Sequence, residues 1–113
     1  MVTRLDFSSQ NLKHIPLMEG EEALTKIDFS NNSIQVIDNL VSLHNLQWIN
    51  LSHNLIAKIA GFENVRKLKT LDLSHNMLEH PDGLEHLEFL DELDLSHNKI
   101  TSLTSLSHNK NLV

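Results

Sequence analysis

A six-residue run returns along this chain at a constant interval of 22: LDFSSQ at 5–10, IDFSNN at 27–32, INLSHN at 49–54, and LDLSHN at both 71–76 and 93–98. A fixed period of this length points to stacked supersecondary units rather than a single globular core, because each unit is too small to bury its own apolar stripe. The register creates apolar columns: Leu5, Ile27, Ile49, Leu71 and Leu93; Phe7, Phe29, Leu51, Leu73 and Leu95; Leu12, Ile34, Ile56, Leu78 and Ile100. Val2, Leu24, Leu46, Leu68, Leu90 and Leu112 open each unit, and Asn32, Asn54, Asn76 and Asn98 form a polar column with Gln10 in the first place. No insertion breaks the pattern, so the chain divides into units 2–23, 24–45, 46–67, 68–89 and 90–111, with the start of a sixth.

Within a unit, two apolar residues flank one polar residue, as in Leu71, Asp72 and Leu73, which is the alternation of a short strand with one buried face. Equivalent strands then lie side by side in a parallel sheet. The second half of the unit spaces apolar residues by three, as in Ile37, Leu40, Leu43 and Leu46. An α-helix would mix steps of three and four, so this spacing predicts a 3₁₀-like or extended segment. Asn39, Gly61 and Gly83 share a column just before an apolar residue of that segment, where a turn is expected to need positive φ.

The pattern L-x-x-L-x-L-x-x-N-x-L, covering nearly the whole chain, resembles the leucine-rich repeat family. The tails IDNLVSL at 37–43, IAGFENV at 59–65 and PDGLEHL at 81–87 resemble its 22-residue class, typified by the regulatory subunit of type-1 protein phosphatase. The axonemal dynein light chain and the spliceosomal U2 A-prime protein belong to the same class. The resemblance implies an α/β solenoid, a right-handed horseshoe fragment with a short-stranded parallel concave sheet and a 3₁₀ or irregular convex side. It also implies a noncatalytic scaffold that binds protein on the concave face.

A net charge of −6 argues against nucleic acid as the main partner, since duplex binding relies on Lys and Arg neutralising phosphates. Seven acidic residues, Glu79, Asp82, Glu85, Glu88, Asp91, Glu92 and Asp94, fall in one stretch free of Lys and Arg. They read as a solvated face, or, more sharply, as a dock for a basic partner segment. The sequence has no cysteine, no apolar run of membrane-spanning length and no signal-like start, so a cytoplasmic setting is expected, with nuclear or cilium-associated placement as variants. Asn31-Asn32-Ser33 and Asn50-Leu51-Ser52 match the glycosylation sequon but arise from the repeat. Glu19, Glu21 and Glu22 read as a polar N-terminal cap, and Leu112 as the start of a unit left open, which would need a longer protein, another chain or self-association to cover it.

Serine, histidine and aspartate at fixed spacing invite a catalytic reading. A hydrolase triad, however, needs one activated serine beside an oxyanion hole, and repetition of all three residues in every unit is the opposite arrangement. No catalytic residue and no cofactor are assigned. The column Ser9, Asn31, His53, His75 and His97 could offer three imidazoles to a metal, yet a sheet holds side chains parallel instead of aiming them at a point, so no metal site is assigned. Asn32, Asn54, Asn76 and Asn98 read as structural, because an amide can both donate to and accept from backbone turned into the interior. With the leucines inward, aspartate and serine are expected on the concave side. What varies between units is the row Arg4, Lys26, Trp48, Thr70 and Glu92, and there the single tryptophan is a candidate interface anchor. The binding surface assigned from sequence is Trp48, Asp28, Asn50, Asp72, Glu92, Asp94, His53, His75 and His97.

Overall fold

A computed structural model describes residues 2–18 and 22–101. Glu19 and Glu21 of the expected polar cap, and Leu112 with the open end it suggested, lie outside the described residues. Five three-residue strands, β1 (Arg4–Asp6), β2 (Lys26–Asp28), β3 (Trp48–Asn50), β4 (Thr70–Asp72) and β5 (Glu92–Asp94), form one sheet in chain order. All neighbours are parallel, and every pairing is offset by one period, as in Ile27 opposite Ile49 and Ile49 opposite Leu71. Only the central residue of each strand points inward, because side chains alternate across a strand. Hence Ile27, Ile49 and Leu71 are buried while both their strand neighbours are half-exposed.

The rung-to-rung ladder continues past the strands. Leu51 N–H donates to Asp72 O at 2.8 Å and His53 N–H to Ser74 O at 3.0 Å, after which the direction reverses and Leu55 N–H donates back to Ile34 O at 2.9 Å. Between these points the chain turns inward, and the asparagine column lies there. Asn76 Oδ1 accepts from Ile56 N–H at 3.0 Å, while its Nδ2 donates to Leu51 O, Leu73 O and Ser74 O at 3.0 to 3.1 Å. Asn54 repeats this with Ile34 N–H, Phe29 O, Leu51 O and Ser52 O. Asn32 and Asn98 do the same in their own units. Leu51 O thus receives both Asn54 and Asn76, so one amide column stitches consecutive units while satisfying buried backbone.

Opposite the sheet, the second half of each unit contains no helix among the described residues. It is a series of turns closed by i to i+3 bonds, Leu43 N–H to Leu40 O and Leu46 N–H to Leu43 O in the second unit, with counterparts from Phe62 and from Leu84. Bonding at steps of three eclipses residues three apart, which is why Leu40, Leu43 and Leu46 are all buried on one side. The turn column has φ of 61° at Asn39, 86° at Gly61 and 111° at Gly83. A Cβ on Gly61 would meet Ile37 O at 2.6 Å, and one on Gly83 would press closer still on Ile59 O. Asn39 instead donates its Nδ2 to the equivalent carbonyl, Ile15 O, at 2.7 Å.

One expectation is corrected. Ser30, Ser52 and Ser74 are buried rather than displayed beside the aspartates. The chain starts its inward turn directly after the apolar residue that follows each strand, so alternation stops there and serine enters the interior.

Candidate protein-interaction face

The open face of the sheet carries two side-chain rows set by strand register. The first is Arg4, Lys26, Trp48, Thr70 and Glu92, and the second is Asp6, Asp28, Asn50, Asp72 and Asp94. Along the first row the charge runs from two cations through an aromatic and a hydroxyl to a carboxylate. Trp48, expected as an exposed anchor, is half-buried, and the Lys26 ammonium opposite it in register lies 4.4 Å from its ring centroid. Such a cation over an indole face contributes about 0.5–1 kcal/mol at exposed sites.

Two depressions divide the face. The first, about 420 Å³, is lined by Arg4, Leu5, Asp6, Lys26, Asp28 and Trp48, so that two cations stand against two carboxylates. The second, about 480 Å³, is lined by Thr70, Leu71, Asp72, Asp91, Glu92, Leu93 and Asp94 and has four carboxylates and no cation. The acidic stretch is therefore not one surface. Asp91, Glu92 and Asp94 enter the second depression, whereas Asp82 lines a separate groove of about 340 Å³ with Lys58 and His80, and Glu85 accepts from Gly83 N–H at 3.1 Å.

The second row has a duty the sequence reading missed. In every unit the Asp or Asn Oδ1 accepts the N–H of the serine two residues on, at 2.8 to 2.9 Å, closing an Asx turn at the strand end. Asp-x-Ser, or Asn-x-Ser, in each repeat was the available signal. Ser74 and Ser96 hydroxyls also donate to Asp72 and Asp94 Oδ1, at 2.7 and 2.6 Å. These bonds hold the Asp94 carboxyl below its ordinary value of 3.8, the Ser96 hydroxyl first and its N–H second, with His75 and His97 adding to the effect. Asp6 is lowered by Ser8 in the same way. The Ser74 and Ser96 hydroxyls are thus engaged by a carboxylate rather than by the histidine beside them.

The histidines stand apart from both depressions. Ser9, Asn31, His53, His75 and His97 all have φ between 54° and 57°, the left-handed region that Asn and His enter more readily than most residues. The rings stack at 4.1 Å between His53 and His75 and at 4.0 Å between His75 and His97, within 12° of parallel. Burial against its neighbours, then the charges of His97 and His53, lower the His75 pKa from 6.5, against the opposing pull of Asp94 and Asp72. Among the described residues no group of three His, Cys, Asp or Glu side chains could hold a metal ion. Of the nine residues assigned from sequence, Trp48 and Asp28 line the first depression, Asp72, Glu92 and Asp94 line the second, Asn50 lies between, and the three histidines form a separate rim.

Two leucine-rich repeat family models match the sequence, one over residues 57–100 and a two-copy one over residues 22–64. The chain is a leucine-rich repeat protein. Similar solved structures of this fold include internalin C2 from Listeria monocytogenes, at 27% identity and a TM-score of 0.89 over 98% of this chain and 49% of that one. The functional domain of InlJ from Listeria monocytogenes, described as including a cysteine ladder, matches at 27% identity and a TM-score of 0.82, over 98% of this chain and 24% of that one. The leucine-rich repeat domain of APL1B matches at 27% identity and a TM-score of 0.74, over 99% of this chain and 33% of that one. The present chain thus spans half or less of each of these repeat structures. No curated protein matches the sequence. This leucine-rich repeat chain has no cysteine, and its stacked columns are asparagine and histidine.

Proposed function

We propose that this leucine-rich repeat protein is a noncatalytic scaffold that binds a partner protein across the open face of its sheet, with Trp48 as the central anchor. The observation that carries this reading is the contrast between rows. Every buried hydrophobic column keeps to apolar side chains, aliphatic or aromatic, whereas Arg4, Lys26, Trp48, Thr70 and Glu92, adjacent in register, vary in both type and charge. Residues that repeat build the solenoid, and residues that differ are free to select a partner. Leucine-rich repeat folds commonly serve protein–protein interaction, which supports the same reading. A finer role in phosphatase regulation, or in assembling a dynein, ciliary or spliceosomal complex, rests on the tail motifs at 37–43, 59–65 and 81–87. The absence of cysteine favours a reducing compartment for that role.

The test is affinity capture with the intact chain beside Trp48→Ala and Glu92→Lys. Asp72 is a poor choice of variant because its carboxylate closes a turn. Proteins retained by the wild type and lost by both variants, with melting unchanged, support the face. An identical retained set from all three chains refutes it.

A further inference from the structure

The histidine rim is a cluster that lines neither depression of the open face. His53, His75 and His97 come from three successive units, and their rings lie in face contact at 4.1 and 4.0 Å, closer than the roughly 4.8 Å between strands, so they lean together rather than merely following the sheet. Their backbones are pinned. Each holds φ near 55°, and the His53 and His75 N–H groups donate to Ser74 and Ser96 O at 3.0 Å. The rings themselves are exposed, so the stack is held by ring contact on a fixed backbone and can part by side-chain rotation without breaking the ladder. Asn31, in the same column, has no ring to extend the stack.

Neutral imidazoles gain from such stacking through dispersion and ring electrostatics. Protonated ones are like charges about 4 Å apart, which repel even in water. The charged groups facing the central ring are His53 and His97 on either side and Asp72 and Asp94 from β4 and β5, the carboxylates favouring protonation and the histidines opposing it.

We propose that the His53, His75 and His97 stack is a pH-sensitive fastener between the third, fourth and fifth units, closed when the rings are neutral and loosened when they charge. The lowered His75 pKa sets the sign. The folded chain holds that proton less tightly than the unfolded chain, so its contribution to stability is full above 6.5 and is lost as pH falls through the lower folded value. The Asp94 contribution is present above 3.8 and is lost only as pH falls through its lowered folded value.

Thermal unfolding of the full chain at about pH 7.5 and about pH 5.5, on either side of the ordinary histidine value, tests this. The variants are His75→Asn, which places in the column the residue already tolerated at position 31, and the double variant His53→Asn, His97→Asn. The wild type is expected to lose more melting temperature on acidification than His75→Asn. By imidazole NMR, His75 should titrate below 6.5 in the wild type and move back towards that value in the double variant. Equal losses of melting temperature in wild type and His75→Asn, or a His75 midpoint that is the same in wild type and double variant, would overturn the proposal. The NMR readout needs protein that stays folded through the titration, which the asparagine substitutions favour because asparagine accepts the left-handed backbone.

Discussion

The first unit and the interior units carry the same pattern with different outcomes. Leu5, Phe7 and Leu12 are half-buried, whereas their counterparts Ile27, Phe29 and Ile34, and Ile49, Leu51 and Ile56, are fully buried. β1 pairs with β2 alone, and each interior strand has a neighbour on both sides. Phe7 stacks on Phe29 at 5.5 Å with 9° between planes, so its covered face is the one turned to the second unit. In a quasi-one-dimensional array a residue's worth depends on how many neighbouring units cover it as well as on its own type.

Replacing the interior ladder amide should have the largest effect. Asn76→Leu orphans the buried Ile56 N–H, at about 1–3 kcal/mol, and removes one of two donors from each of Leu51 O, Leu73 O and Ser74 O, at about 0.5–1.5 kcal/mol each. A loss on the order of 4 kcal/mol in denaturant unfolding is expected, with a smaller loss for half-buried Asn32→Leu. Equal losses would break the comparison. Next comes the core pair. Leu71→Ala should cost roughly 3 kcal/mol by the usual range for buried leucines, and Leu5→Ala well under half of that, because its site is already partly open to water.

Smaller again, Gly61→Ala should cost about 2 kcal/mol, since the new Cβ meets a backbone oxygen at 2.6 Å where φ is 86°. At Asn39 in the same column, alanine loses one hydrogen bond to Ile15 O but adds no atom, so its cost should be nearer 1 kcal/mol. Comparing the two melts sharpens how the second unit differs from the third. Smallest of all, Trp48→Ala should change stability by less than about 1 kcal/mol, because it removes a cation–aromatic contact at the surface and leaves the core intact. A large loss there would show Trp48 holding the sheet together rather than facing a partner.

Several of these sites were legible in the sequence. The step of three in Ile37, Leu40, Leu43 and Leu46 identified the turn-based second half, and the Asn39, Gly61 and Gly83 column identified a backbone of positive φ. Serine was misplaced because alternation was carried one residue past the point where the chain bends. Treating the aspartate row as free binding surface overlooked a local contest, since Asp and Asn readily bond the backbone two residues on. The histidines were assigned to the interaction face by column alone. The structure adds their left-handed backbone and their ring contact at 4.0 to 4.1 Å, which a column alignment does not record.

By itself the sequence determined the solenoid: which residues align, which columns are buried, and the offset of 22 between paired strands, because an unbroken period allows one register that keeps every apolar column together. Only the tertiary structure decided what happens where the strand ends. There the chain turns inward, which buries Ser74, engages Asp72 Oδ1 and brings three imidazoles face to face. Hydropathy records how much a residue gains from leaving water. It does not record the backbone torsions that decide whether a polar side chain reaches solvent, its own main chain or the next rung.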